Sequence, residues 1–233
     1  MTFAPLIRAA CLGLACITLA ACSNRAGGDV NALTVAQGVF KSLFERGGAS
    51  APAPDEVARQ AAGALASTTG RVIVVAIPER DVLTVMQEIE RNGPYITFGT
   101  ADRRSITLKG GMVTATRGLG NDLMSADVDA VTALIRRGET DATRRVNRYL
   151  DGENRTISLA PWCQVKPAGP GAVALGEVQA RTTRMLESCL ADTGSADTAS
   201  FQNSYQVDGA GRIVQSRQWI SPLNGYIVIQ SLR

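Results

Sequence analysis

The chain has 233 residues, with 24 Lys+Arg against 21 Asp+Glu and no histidine, for a formal net charge of +3. That balance gives no case for nucleic acid or a polybasic lipid patch, and the missing histidine removes the commonest general base and metal ligand. The length suits one domain with an ample hydrophobic core and an appended helical segment.

Arg8 is the only charged side chain before Arg25. Ala9 to Leu19 is almost wholly apolar, which suits a secretion signal but is too short to cross about 30 Å of hydrocarbon as a helix. The run ends in Leu19-Ala20-Ala21-Cys22. Small residues before a cysteine resemble the bacterial lipobox, so residues 1–21 are expected to be a signal peptide and Cys22 the lipidated start of the mature chain. The alternative is an ordinary signal peptide with a chance cysteine. Burying each acyl CH₂ contributes about 0.8 kcal/mol, so firm anchoring takes two or more chains. Ser23, where an aspartate would favour inner-membrane retention, points to the outer membrane. No later stretch reaches the roughly 18 apolar residues of a spanning helix.

Residues 22–32 read as a polar tether and 33–70 as a helical segment. Leu33, Ala36, Val39, Phe40, Leu43 and Phe44 share a helical stripe that Gly47-Gly48 ends. Asp55 to Ala66 is a second helix, with Asp55 and Glu56 suited to its N-terminus. From 71 to 233 the texture is β. Val72 to Ile77 is β-branched and stops at Pro78. Val82 to Glu90 fits either strand or helix. Tyr95 to Phe98, Ser105 to Leu108 and Met112 to Thr116 are short strands of a meander. Ser125 is expected to cap a short helix through Val128, Val131, Leu134 and Ile135, closed by Gly138. Strands Thr140 to Leu150 and Arg155 to Val165 follow, joined at Asp151-Gly152. Lys166 to Gly171 reads as a loop, Val173 to Ala180 and Thr182 to Leu190 as strands, and Asp192 to Ser200 as a small-residue loop. Phe201 to Val207, Arg212 to Ile220 and Gly225 to Leu232 complete the set. The expected fold class is mainly β: an antiparallel meander forming a barrel-like or nearly closed domain, since closure removes unpaired edges.

With Cys22 acylated and Cys11 and Cys16 removed, Cys163 and Cys189 remain. In an exported protein they suggest one disulfide, with two buried free thiols as the alternative. No metal site or cofactor is expected, because two thiols without histidine make a poor zinc set.

Few constellations suggest chemistry. Arg117-Gly118-Leu119-Gly120-Asn121-Asp122 could present Arg117 to an anionic group. A structural turn, with Arg117 paired to Asp122, is the competing explanation. It lacks the third glycine of a dinucleotide fingerprint. Asp102, Asp122, Asp127 and Asp129 could supply paired carboxylates for glycoside cleavage, though Asp127 and Asp129 already suit a helix start. A Ser-x-x-Lys dyad and a Gly-x-Ser-x-Gly elbow are absent. Trp162, Trp219, Tyr149, Tyr205 and Tyr226 could stack on sugars, but both tryptophans are expected in the core.

The Leu-Ala-Ala-Cys start, Thr116 to Leu123, Asn92-Gly93 ahead of Tyr95-Ile96-Thr97-Phe98, and Tyr149-Leu150-Asp151-Gly152-Glu153 together resemble the YjbF/GfcB group of capsule-type lipoproteins. The likeness runs from about Asp29 to the C-terminus. Phe98 departs from it, standing where a tryptophan is expected. The resemblance implies a barrel-like β domain, an outer-membrane lipid anchor facing the periplasm, and a non-enzymatic role in exopolysaccharide or capsule production or export. The partners it implies are the polysaccharide or its export proteins, and it carries over no catalytic residue. The rival readings are a carboxylate-dependent polysaccharide-modifying enzyme and a scaffold lipoprotein without glycan contact.

Overall fold

The computed structural model describes residues 54–191 and 199–233. Cys22, the tether, the 33–46 helix and most of the 192–200 loop therefore lie outside the described residues. Helix α1 (Pro54–Ser67) is followed by β1 (Val72–Ile77), β2 (Val82–Asn92), β3 (Tyr95–Gly99), β4 (Ser105–Lys109), β5 (Met112–Arg117) and β6 (Ser125–Asp127). Helix α2 (Asp129–Arg137) precedes β7 (Asp141–Arg144), β8 (Val146–Leu150) and β9 (Thr156–Leu159). The chain ends with β10 (Trp162–Leu175), β11 (Val178–Ala191), β12 (Ala199–Asp208), β13 (Ile213–Ser221) and β14 (Gly225–Ser231). No helix among the described residues is long and apolar enough to cross a membrane.

Eleven strands form one sheet in the order β5-β4-β3-β2-β1-β14-β13-β12-β11-β10-β7, and β6-β8-β9 form a second of three. The mainly β, antiparallel meander is as expected. The barrel-like form is as expected too, short of full closure: among the described residues β5 and β7 are the edges of the large sheet, with no hydrogen-bonded ladder between them. The sheet instead curls until β5 meets β13. There the amide of Gln218 accepts from the Val113 N–H at 3.0 Å and donates to the Gly111 carbonyl at 3.0 Å. One side chain thus does locally what a neighbouring strand would do.

Strand β1 is the spine, buried on both faces. Its period of two sends Ile73, Val75 and Ile77 to one core with Met86, Phe98, Ile106 and Ile229, and Val72, Val74 and Ala76 to another. Against the second core lies α1, through Val57, Ala61 and Ala64, whose small side chains permit a close approach. Helix α2 packs Val131, Leu134 and Ile135 against Met112, Val165, Met185 and Tyr205.

Four local expectations need correction. Ser125 is not a helix cap. It opens β6, because Ser125, Ala126 and Asp127 pair with Arg148, Asn147 and Val146, and the cap position falls to Val128. The strands expected at 140–150 and 155–165 are each broken, at Arg145 and at Ala160-Pro161. β7 joins the large sheet through β10 while β8 and β9 pair in the small one, and the Arg145 N–H donates to the Pro161 carbonyl where the chain switches sheets.

Residues 166–171 are strand rather than loop. β10 pairs with β7 only over Trp162–Val165, so beyond that point no strand among the described residues covers its outer edge. A missing proline N–H is tolerated on such an edge, and the register shift between Pro167 and Pro170 absorbs the irregularity. Residues 173–180 form a hairpin rather than one strand. The chain reverses at Gly176, whose φ of +56° favours glycine, and a Cβ there would lie 2.7 Å from the Leu232 carbonyl oxygen.

Candidate functional site

The loop after β5 is built around Asp122. One carboxylate oxygen accepts from the Thr116 hydroxyl at 2.8 Å and the Leu119 N–H at 3.1 Å, and the other from the Gly118 N–H at 2.9 Å. The Thr116 hydroxyl in turn accepts from the Leu123 N–H at 3.0 Å. Gly118 and Gly120 both take positive φ, +77° and +73°, which explains their residue type. Arg117 does not pair with Asp122. Its guanidinium donates to the Thr116 and Leu123 carbonyls, and the side chain is exposed. The turn explanation is right in kind, with backbone donors in place of the arginine. The loop is pinned to its neighbours by Arg80, which donates to the Leu119 carbonyl at 3.0 Å and to Asn224 Oδ1 at 2.9 Å, and by Asn224, whose amide donates to the Gly120 carbonyl.

Cys163 and Cys189 face each other in register on β10 and β11 and form the expected disulfide. Beside it lies a buried polar cluster that sequence reasoning missed. Arg145 reaches both oxygens of Glu187 at 3.2 Å, and both side chains are fully buried. Glu187 also accepts from Tyr205 at 2.6 Å and from Asn203 at 2.7 Å. Burial opposes the Arg145 charge, but the Glu187 carboxylate and nearby phenols outweigh it and hold its pKa above the ordinary value. Burial first, then the Glu187 charge, push the Tyr205 phenol well above its ordinary value. Nearby, the Tyr149 hydroxyl donates to the Ile220 carbonyl, and burial raises its pKa to about 12. No local pattern marks Arg145 or Glu187. Each sits on a stretch that reads as ordinary polar-alternating strand.

Among the described residues, Cys163, Glu187 and Cys189 are grouped closely enough to suggest metal ligands. The sulfurs are joined to each other, so neither offers the thiolate that a metal needs.

Three of the four candidate carboxylates are engaged by their own surroundings. Asp102 sits in the β3–β4 turn, bonded to the Thr100 hydroxyl and paired with Arg104 at 3.0 Å. The Thr100 bond is the main cause that lowers its pKa, the wrong direction for a general acid. Asp122 spends its oxygens on its own loop. Asp127 ends β6, and Asp129 lies in the first turn of α2, paired with Lys109.

Trp162 is not core. It is 57% exposed with Arg144 over its ring, because the strand period gives the buried face to Cys163 and Val165. Trp219 is half-buried and stacks on Phe201 at 4.7 Å. Tyr149 and Tyr205 are buried in the polar clusters, and Tyr226 lies under Arg217.

The family described as group 4 capsule polysaccharide lipoprotein gfcB, YjbF, matches residues 38–232. The hypothetical lipoprotein YmcC from Escherichia coli (K12) is similar in structure, with a TM-score of 0.63 at 12% identity over 89% of this chain and 96% of that one. At that identity the likeness concerns the fold alone. A putative lipoprotein from Parabacteroides distasonis ATCC 8503 aligns over 71% of this chain and 95% of its own, at 11% identity and a TM-score of 0.35, and carries no argument. No curated protein matches the chain.

Proposed function

The chain belongs to the YjbF family of group 4 capsule polysaccharide lipoproteins, and from that premise we propose that it is a non-enzymatic accessory of exopolysaccharide or capsule production or export. The observation that carries the reading is the family match across residues 38–232. The Leu-Ala-Ala-Cys22 sequence supports a lipid anchor, and Ser23 supports the outer membrane, with the domain facing the periplasm. The absence of histidine from the sequence and the structural engagement of Asp102 and Asp122 favour holding or guiding over catalysis. Within this reading, Arg117 is the contact that the rigid Gly118–Asp122 loop offers to an export partner. Arg117 is an exposed residue beside a loop whose own acid is already satisfied. Deleting the gene tests the role: surface polysaccharide falls if the reading is right and is unchanged if it is wrong.

A further inference from the structure

The curled sheet has two ends. One carries the Arg117–Leu123 loop. At the other, among the described residues, lies a cleft of about 740 Å³. Five arginines line it, contributed by parts of the chain far apart in sequence. Arg71 precedes β1, Arg91 is the last residue but one of β2, Arg136 lies in the last turn of α2, Arg212 sits between β12 and β13, and Arg233 follows β14. Its apolar floor includes Ile96, Phe98 and Ile229.

The acids that face these arginines are few. Arg91 pairs with Glu88 at 2.8 Å, Arg212 with Asp208 at 2.7 Å, and Arg233 with Glu177 at 2.5 Å. Arg136 is held by the neutral Gly211 carbonyl at 2.8 Å, and the Arg71 side chain has no acidic partner among the described residues. Counted over side chains, five positive charges less three negative leave +2 at the rim. A concave site with one sign of charge and low-dielectric walls focuses its field on an incoming counter-charge. Planar guanidiniums match carboxylate and phosphate oxygens, and Gln179, Gln215 and Ser231 on the same walls offer groups suited to sugar hydroxyls.

We infer that this cleft binds an anionic saccharide, a segment of glycan bearing carboxylates or phosphates, with Arg71 and Arg136 supplying the uncompensated charge. The inference rests on the polysaccharide role proposed above and adds the class of ligand and the surface that takes it.

Calorimetric titration of the full chain in detergent tests it, with a hexamer of galacturonic acid as probe, maltohexaose as its neutral counterpart, and inorganic phosphate as the bare anion. The galacturonate hexamer binds, and maltohexaose and phosphate bind at least tenfold more weakly. Arg71→Gln with Arg136→Gln weakens hexamer binding tenfold or more. The Arg71→Lys and Arg136→Lys pair, which keeps the charge, retains most of it and guards against misfolding as the cause. Raising the ionic strength from about 0.1 M to about 1 M, where the Debye length shrinks from about 10 Å to about 3 Å, weakens binding. No hexamer binding, equal binding of maltohexaose or phosphate, or full affinity in the glutamine pair overturns the inference. Polysaccharide lost on gene deletion together with no hexamer binding removes this inference and leaves the accessory role standing.

Discussion

The Gln218 side chain stands to Val113 as one strand stands to the next, accepting its N–H at 3.0 Å across the seam where β5 meets β13. The amide nitrogen completes the pair on Gly111 and is steadied by the Ser216 hydroxyl at 2.9 Å. Because Gln218 is fully buried, water is poorly placed to replace it. Leaving a buried polar group unpaired costs about 1–3 kcal/mol. Gln218→Leu is therefore expected to destabilise the domain by about 2 kcal/mol, lowering Tm by roughly 4–8 °C. Thermal unfolding followed by circular dichroism checks this, and an unchanged Tm would mean that the seam is held by apolar packing alone.

Arg145 and Glu187 form a fully buried ion pair. Removing one partner of such a pair strands the other charge, at about 3–5 kcal/mol. Glu187→Leu alone is expected to destabilise by that amount in urea unfolding. The double change Glu187→Leu with Arg145→Met should be milder than the sum of the single changes. Strict additivity would show that the two side chains act independently.

The Cys163–Cys189 bridge links positions 26 residues apart in sequence. Cross-linking a loop of that size stabilises by roughly 3 kcal/mol in the chain-entropy model. Reduction, or Cys163→Ala with Cys189→Ala, should lower the unfolding midpoint in urea accordingly. A midpoint that does not move on reduction would show that the sheet holds these strands without the bridge.

Alkali should unfold the domain through its buried phenols. Burial raises the Tyr149 pKa to about 12, and burial with the Glu187 charge holds the Tyr205 phenol well above its ordinary value. A raised folded pKa means that the unfolded state loses its proton first. The stability from these groups is complete below the unfolded value of about 10 and is lost as the pH rises toward the folded value. Of the four tyrosines, two should ionise only with unfolding. Phenolate absorbance against pH, read beside circular dichroism, tests this; four phenols titrating together near pH 10 in the folded state would contradict it.

Features that depend on neighbouring residues were legible in the sequence. The run Val72–Ile77, the meander turns, the closure of α2 at Gly138 and the cysteine pair all follow from local pattern or compartment. Among the described residues, those that carry the family likeness prove to be builders of turns and core. Asp122 ties the Gly118 loop, Asp151 accepts two N–H groups of its own turn at 2.8 Å, and Gly93 takes the positive φ of the β2–β3 hairpin. Features set by distant partners were not legible. Ser125 was claimed by β8, the prolines of β10 fall where no strand among the described residues pairs with its outer edge, and Trp162 was turned outward by the strand period. The arginine cleft is of the same kind. A net charge of +3 over the whole chain says nothing of five arginines meeting at one end of a curled sheet.

Envelope anchoring and a role in polysaccharide production are read out together by surface polysaccharide in a deletion strain that carries an empty vector, the wild-type gene or Cys22→Ser, with protein levels matched by blotting. Polysaccharide is expected to be lost in the deletion, restored by the wild type and not restored by Cys22→Ser. Polysaccharide equal to the parent's in the empty-vector strain would contradict the role, and full restoration by Cys22→Ser would contradict the need for the anchor.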